Sequence, residues 1–516
     1  MDRWESRPIS CAGGLVQDLD SLIQGTEFPG TAKTLQNFEP HPSGGYRRIN
    51  GFTKYDTNTV PGTANNPVLG LKVAMGGVFA ARKDNPATDN RIFFSTGTGW
   101  TQVSTTIRTG TPTKVRFEQY TQSTEVVIAC DGINRAWKWN GTTETVLSTA
   151  GAPVNPRYAK LFKNRLVLAG YGNGQDKITL SAPNNDTDYT GASGAIELNI
   201  GSKVTGIGIF REQLIIFCES SIHKLAGSTS ADFAIVDISD SIGCLSHDSI
   251  QEVGGDLVFL ATDGIRSYAA TERIADVEIS LASRSIQPLV LDILANSFDA
   301  DKFSSCAIRK KSQYRLFVNS TSLPEADNLG LIGRLQDAPT TPHGQYEWST
   351  MRGIKPYCAD SEYNNNKELA VIGHPTNGFV YQLESGNTFD GTNIVSIFRS
   401  PDLTFDDATI RKVFQKIDVY TEIEGDVDID LRLILNRGED GKIQPSIRKI
   451  TKTGAVATYG TAVYDTSVYG AFIFPNFKNN LIGSGFFGAF EFTCDDACAP
   501  FRIESYQVTF SRKGRR

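Results

Sequence analysis

The chain has 516 residues, a net charge of −6, 48 glycines and 29 phenylalanines against 3 methionines. That length exceeds a single core and predicts two or three domains, and the glycine and phenylalanine content predicts a turn-dense, aromatic-rich β protein. The mild acidic balance excludes a sequence-independent DNA binder, which needs a dense basic surface to displace counterions, and no apolar run approaches the roughly 18 residues of a spanning helix.

Residues 1–62 read as an extended arm. Met1-Asp-Arg-Trp-Glu-Ser-Arg-Pro8 has no apolar core for a signal peptide, so export by that route is not expected. The turn formers Gly13-Gly14, Phe28-Pro29-Gly30, Pro40 to Gly45 and Asn50-Gly51 predict a segment laid over other domains or other subunits. Within it, Arg47 and Arg48 are either a solvated turn or a partner contact.

Residues 63–395 carry a repeated phrase: an apolar strand, a small polar turn, a second strand. Phe210 to Gly227 is its clearest copy, turning at Glu219-Ser220-Ser221. Val126 to Trp139, Arg165 to Leu180, Asp256 to Tyr268 and Glu368 to Leu383 repeat it, while Arg315 to Val318 begins a copy with no evident partner. A recurrence of about 45 to 55 residues is that of radial four-stranded blades, and the prediction is a β-propeller. Ser280 to Asn296 follows helical spacing and predicts a short helix packed on a blade, with Pro288 near its start. Leu323 to His343 is polar and predicts a long surface loop.

Residues 396–516 lose the blade period. Alternation in Val413 to Tyr420, Val427 to Leu435, Ala471 to Phe474, Phe486 to Phe492 and Ile503 to Phe510 predicts a sandwich-like platform completed by the arm. The fold class is therefore all-β, a propeller plus a β-sandwich-like platform built from the C-terminal region with the N-terminal arm.

The chemistry-bearing residues point away from a catalytic or metal site. Asp426, Asp428 and Asp430 recur at period two, which puts them on one strand face and Val427, Ile429 and Leu431 on the other. Leu431 and Arg437 stand where an EF-hand loop needs glycine and glutamate. The three aspartates are a solvated face or an acidic lining that repels DNA phosphates. Cys494-Asp-Asp-Ala-Cys498 has no second ligand pair near it and is a reduced loop pair or a local disulfide rather than zinc. The other cysteines, Cys11, Cys130, Cys218, Cys244, Cys306 and Cys358, read mostly as buried thiols in strands.

His41, His223, His247, His343 and His374 read as surface or edge residues with no Ser-His-Asp or Cys-His arrangement. Ser95-Thr-Gly-Thr-Gly-Trp100 lacks the aspartate of a sialidase-type box, and no spacing singles out a glycosidase carboxylate pair. Gly206-Ile-Gly208 precedes a strand and is no dinucleotide fingerprint. The basic ending Arg512, Lys513, Arg515 and Arg516 is a solvated tail or a contact with DNA or a neighbouring subunit. No cofactor is implied.

Gly13-Gly14-Leu15, Phe28-Pro29-Gly30 and Gly44-Gly45-Tyr46-Arg47-Arg48-Ile49-Asn50-Gly51-Phe52 resemble the opening of tail-hub or nozzle proteins of short-tailed bacteriophages, the tail tubular protein B or packaged-DNA stabilisation family. Ile178 to Tyr189, Val204 to Phe210 and Ile503 to Phe510 are similar to later stretches of that family, in the same order. The resemblance implies a homohexameric ring in the virion tail, assembled in the host cytoplasm. Its partners would be a portal and adaptor above and distal tail or fibre proteins below, with packaged DNA held and then conducted through the lumen without sequence-specific binding. From another class, the alternative is a propeller that binds or hydrolyses surface glycans, with a carboxylate- and aromatic-lined pocket on its axis.

Overall fold

The computed structural model describes residues 4–84, 89–105, 108–121, 124–268, 281–296, 299–320, 323–336, 346–438, 444–452 and 476–513. Seven small antiparallel sheets stand around one axis. Their first strands are Val68–Ala74, Arg116–Thr121, Tyr158–Phe162, Val204–Phe210, Gln251–Val253, Phe303–Ile308 and Cys358–Asn364. The ring closes where Cys358–Asn364 of blade 7 lies against Val68–Ala74 of blade 1. This is a seven-bladed β-propeller.

The repeated phrase of the sequence is the second and third strand of each blade. In blade 4, Gln213–Cys218 and Ile222–Ala226 pair with Leu214 opposite Leu225. Such strands are covered on both faces by neighbouring blades, so Arg165–Tyr171 and Gln313–Val318 are buried along their whole length. That is why they read as continuous apolar runs rather than as alternation.

First and second strands are joined by two-residue turns with consecutive positive φ at Met75-Gly76, Lys163-Asn164, Arg211-Glu212, Gly254-Gly255 and Asn365-Asn366. This is the pattern of the primed hairpin turn, whose twist matches that of the strands.

Arg315 to Val318 finds its partner in Leu329–Leu335, with Arg315 opposite Ile332. The surface loop expected over Leu323 to His343 is thus corrected in its middle, and 337–345 lie outside the described residues. Gly330 and Gly333 hid the strand by contributing no side chain to the pattern. A Cβ on Gly333 would stand 2.6 Å from the ring of Trp348. The expected helix is Gln287–Asn296, with Pro288 in its first turn and Val290, Ile293 and Leu294 buried towards blade 5.

The C-terminal region builds one further sheet and extends that of blade 6. The further sheet joins Phe501–Lys513, Arg411–Ile423 and Asn476–Gly485 to the arm strands Trp4–Ser10, Phe38–Pro40 and Tyr46–Arg48. The extension runs Thr34–Gln36, Ser396–Arg399, Gly488–Cys494, Val427–Leu435, Arg448–Lys452. Aromatic rings fill the space between them: Phe398 stacks on Phe492 at 5.5 Å, and Tyr506 meets Phe490 at 5.6 Å. The strand expected over Ala471 to Phe474 falls outside the described residues.

The arm does more than complete the platform. Thr34–Gln36 pairs with Ser396–Arg399 on one side and with Tyr346–Arg352 of blade 6 on the other. Phe52–Lys54 pairs with Val380–Leu383 as the outer strand of blade 7, so the propeller is latched by its own N-terminal segment.

Where arm, blade 6 and blade 7 meet, Glu39 is 1 % exposed and accepts from Lys311 at 2.6 Å, Gln313 at 3.0 Å, Arg315 at 3.1 Å and Arg47 at 3.1 Å. Glu384 joins the cluster through Lys311 and Arg315. Burial alone would raise the pKa of Glu384, but these two cations outweigh it and hold the carboxyl at about 2.

Glu39→Gln leaves buried cations short of a counter-charge and is expected to lower the urea-unfolding free energy by roughly 3 kcal/mol. Glu212→Gly, at a φ of 61° that glycine adopts freely, is expected to raise it by about 1 kcal/mol in the same measurement.

Candidate functional site

The first strands of all seven blades enclose an axial cavity of about 640 Å³. At the end where these strands begin, it is crossed by residues 113–116, which lead into blade 2. Arg116 reaches over the axis to Asp248 of blade 5 at 2.8 Å and Asp301 of blade 6 at 3.1 Å, with its guanidinium 5.2 Å above the ring of Tyr158 in blade 3. Thr113 donates to Asp301 at 2.6 Å, and Lys114 donates to the carbonyls of Phe303 and Tyr357. One short segment therefore ties five blades together across this end of the cavity.

Further along, Lys72 of blade 1 pairs with Asp360 of blade 7 at 3.3 Å, and Lys160 of blade 3 with Glu118 of blade 2 at 2.6 Å. The other mouth carries Thr121, Glu252, Glu362 and a half-exposed Tyr363.

The charges in the cavity hold one another in their ionised forms. Burial would raise the Asp248 carboxyl, yet Arg116 and Lys114 bring it down to about 2. Burial would lower Lys72, yet Asp360 and Glu118 keep it above the ordinary lysine value. His247 is the exception: burial holds its pKa at about 3, and the influence of Asp248 does not restore it. It lines the cavity, and its Nδ1 accepts from the Ile207 amide at 3.4 Å.

The carboxylates and aromatic rings expected of an axial glycan pocket are present here. The general acid of a glycosidase needs a raised pKa. Burial raises the Glu347 carboxyl over the opposing Gly13 amide and Arg334, but Glu347 does not line this cavity. The cavity is built as a set of cross-ties between blades.

Asp428 and Asp430 alternate with buried Val427, Ile429 and Leu431 on the strand Val427–Leu435, and Asp426 is exposed just before it. Lys449 on the neighbouring strand stands 3.4 Å from Asp428 and 3.7 Å from Asp430. The acidic face is thus a ladder partly neutralised by one lysine.

Arg47 and Arg48 are corrected. Arg47 is clasped by Glu424 at 2.7 and 2.8 Å and by Asn50 at 2.7 Å, besides Glu39. Arg48 is fully buried and donates to the carbonyls of Ile394, Asp496 and Cys498 and to Ser396 Oγ. Both are internal ties of the arm, neither a solvated turn nor a surface for a partner. Arg515 and Arg516 lie outside the described residues, while Arg512 pairs with Glu5 and Asp406, each at 2.9 Å.

Cys494 and Cys498 are joined as a local disulfide, with the Asp496 carboxylate beside them. Bonded to each other, the sulfurs are not free to ligate a metal. The remaining six cysteines are free and buried.

The reading of the histidines is corrected at two positions. His247 lines the axial cavity, and His223 is buried between Ser221 and Asp237. His343 lies outside the described residues. A signal for the second case was present: Ser221 and His223 sit two apart after a turn, so one strand face carries both. The register that brings in Asp237 was not visible.

No family model and no curated protein matches this chain. Among solved structures it is similar to BBS1N in complex with ARL6DN, at 8 % identity and a TM-score of 0.38, over 65 % of this chain and 97 % of that one. It is also similar to PorZ, a bacterial surface component of the type-IX secretion system of Porphyromonas gingivalis, at 12 % identity and a TM-score of 0.38, over 65 % of this chain and 38 % of that one.

The low pKa of His247 fixes the sign of one pH effect. A histidine kept neutral in the fold contributes stability that is complete above its unfolded value near 6.5 and is lost as pH falls towards about 3. Unfolding free energy is therefore expected to drop with acidification by about 1.4 kcal/mol per pH unit more in the wild type than in His247→Gln between roughly pH 6 and 4.5, measured by urea titration.

Proposed function

We propose that this chain is a structural subunit of the tail nozzle of a short-tailed bacteriophage. Copies close head to side into a ring, the homohexamer the sequence resemblance implies, below a portal and adaptor and above distal tail or fibre proteins. A ring of this kind follows from a heterologous interface whose rotation closes. Packaged DNA is retained by the assembled tube and leaves through its lumen.

The observation that carries this reading is the arm. Residues 4–54 supply three strands to one platform sheet, one to the other and the outer strand of blade 7. Propeller and platform are thereby joined through shared strands, as a wall element would need. The crossing of the propeller axis by Arg116 supports the same reading from the other side, because a conduit must then run between subunits and not through one. The exposed Asp426 and the half-buried Asp428 and Asp430 would suit a surface along which phosphates slide.

Electron microscopy of intact particles, with the mass of the purified chain measured alongside, tests the assignment. A ring of about six copies around an axial channel is expected. Peripheral spikes, or no association with particles, would overturn it and return attention to glycans at the Tyr363 mouth of the axial cavity.

A further inference from the structure

Ser221, His223 and Asp237 stand in the order and on the atoms that activate a hydroxyl nucleophile. Ser221 Oγ lies 2.8 Å from His223 Nε2, and His223 Nδ1 lies 2.7 Å from Asp237 Oδ1. A carboxylate only accepts, so the imidazole proton belongs on Nδ1 and the lone pair of Nε2 faces the serine hydroxyl. This is the tautomer a general base requires.

Blade 4 produces the arrangement locally. Ser221 follows the turn at Glu219-Ser220, and His223 is two residues on, on the same face of the third strand. A register shift between Ile222 and His223 pairs Ile222 with Ser239 and His223 with Asp237, which delivers the carboxylate directly opposite the ring. The turn is held by the Cys218 amide on the Ser221 carbonyl at 2.9 Å and by Lys203 on Glu219 at 2.7 Å.

We propose that Ser221 is a base-activated nucleophile towards esters of small carboxylic acids. Its Oγ attacks the carbonyl carbon while its proton passes to His223 Nε2, and Asp237 holds the imidazolium. The ester C–O bond then breaks, and the alcohol leaves with the proton from Nε2. Water, deprotonated by the same nitrogen, attacks the acyl-serine, releasing the carboxylic acid and restoring the hydroxyl. The sum is ester plus water to acid plus alcohol.

Two features set the substrate and the rate. Ser221 is 8 % exposed, between the exposed turn Glu219-Ser220 and the exposed bend Asp240-Ser241, so little of it is open to solvent and the proposed acyl group is a small one. The Asp237 side chain is 68 % exposed, so it orients the ring more than it stabilises the cation, and turnover is slow.

Covalent labelling is therefore the sensitive test. The full-length protein is treated with a fluorophosphonate, and modified serines are located by peptide mapping. Ser221 is expected to react on the order of 100-fold faster than its neighbour Ser220, a gain general-base assistance supplies. His223→Asn should abolish that advantage, and Asp237→Asn should reduce it about tenfold without abolishing it.

Labelling of Ser221 at the rate of Ser220, or labelling untouched by His223→Asn, overturns the proposal and leaves a hydrogen-bonded turn. Should His223→Asn fail to fold, Asp237→Asn, at an exposed side chain, decides. A labelling rate of Ser221 lowered relative to wild type supports the proposal, and an unchanged rate overturns it.

Discussion

The molecule depends on one buried carboxylate. Glu39 belongs to the arm, yet three of its four partners, Lys311, Gln313 and Arg315, come from blade 6, and Lys311 and Arg315 also hold Glu384 next to blade 7. Charges taken out of water at this depth are tolerated only if each finds its complement, so the three regions must meet in one relative placement or not at all. Hydrophobic burial around Phe52, Phe389 and Tyr381 supplies adhesion at the same junction, but it is far less particular about angle. The carboxylate fixes the geometry, and the rings fill it.

The axial cavity repeats this logic. Inner strands of a propeller converge, and a polar centre costs desolvation unless every charge is matched across it. Arg116, Lys114, Lys72 and Lys160 are matched, each to a carboxylate on a different blade. Such pairs give less net stability than apolar packing of the same volume, and they give register.

Much of the fold was legible because central blade strands are buried on both faces and leave continuous apolar runs. The blade count was not, for physical reasons that can be named. The primed turns between first and second strands recur in five blades, but Met75-Gly76, Lys163-Asn164 and Arg211-Glu212 share no chemistry, since neighbouring blades stabilise a backbone conformation that side chains alone would not choose. The third strand of blade 6 is disguised by glycines that make room for Trp348 and Met351.

Arm strands such as Thr34–Gln36 and Phe52–Lys54 are three residues long, too short for any period. The alternation of Asp428 and Asp430 with apolar neighbours was readable, because a half-exposed strand shows both faces. Arg48 was not: a guanidinium buried among carbonyls has, in sequence, the same look as one in water. Asp237 reaches His223 through a bulge, and bulges leave no mark on hydrophobic pattern.

The latch on blade 7 has a consequence for how the chain is made. Phe52–Lys54 finds its partner only at Val380–Leu383, and Trp4–Ser10 only at Phe501–Lys513, both far along the chain. On the ribosome the blades can form one after another from local hairpins, while each arm strand stays unpaired until its distant partner has been made. During that interval every nascent chain carries loose strands and, once complete, offers matching edges. Crowded polysomes are then the place where one copy's arm can settle into another copy's blade, and the speed of intramolecular closure decides how many subunits emerge as separate molecules.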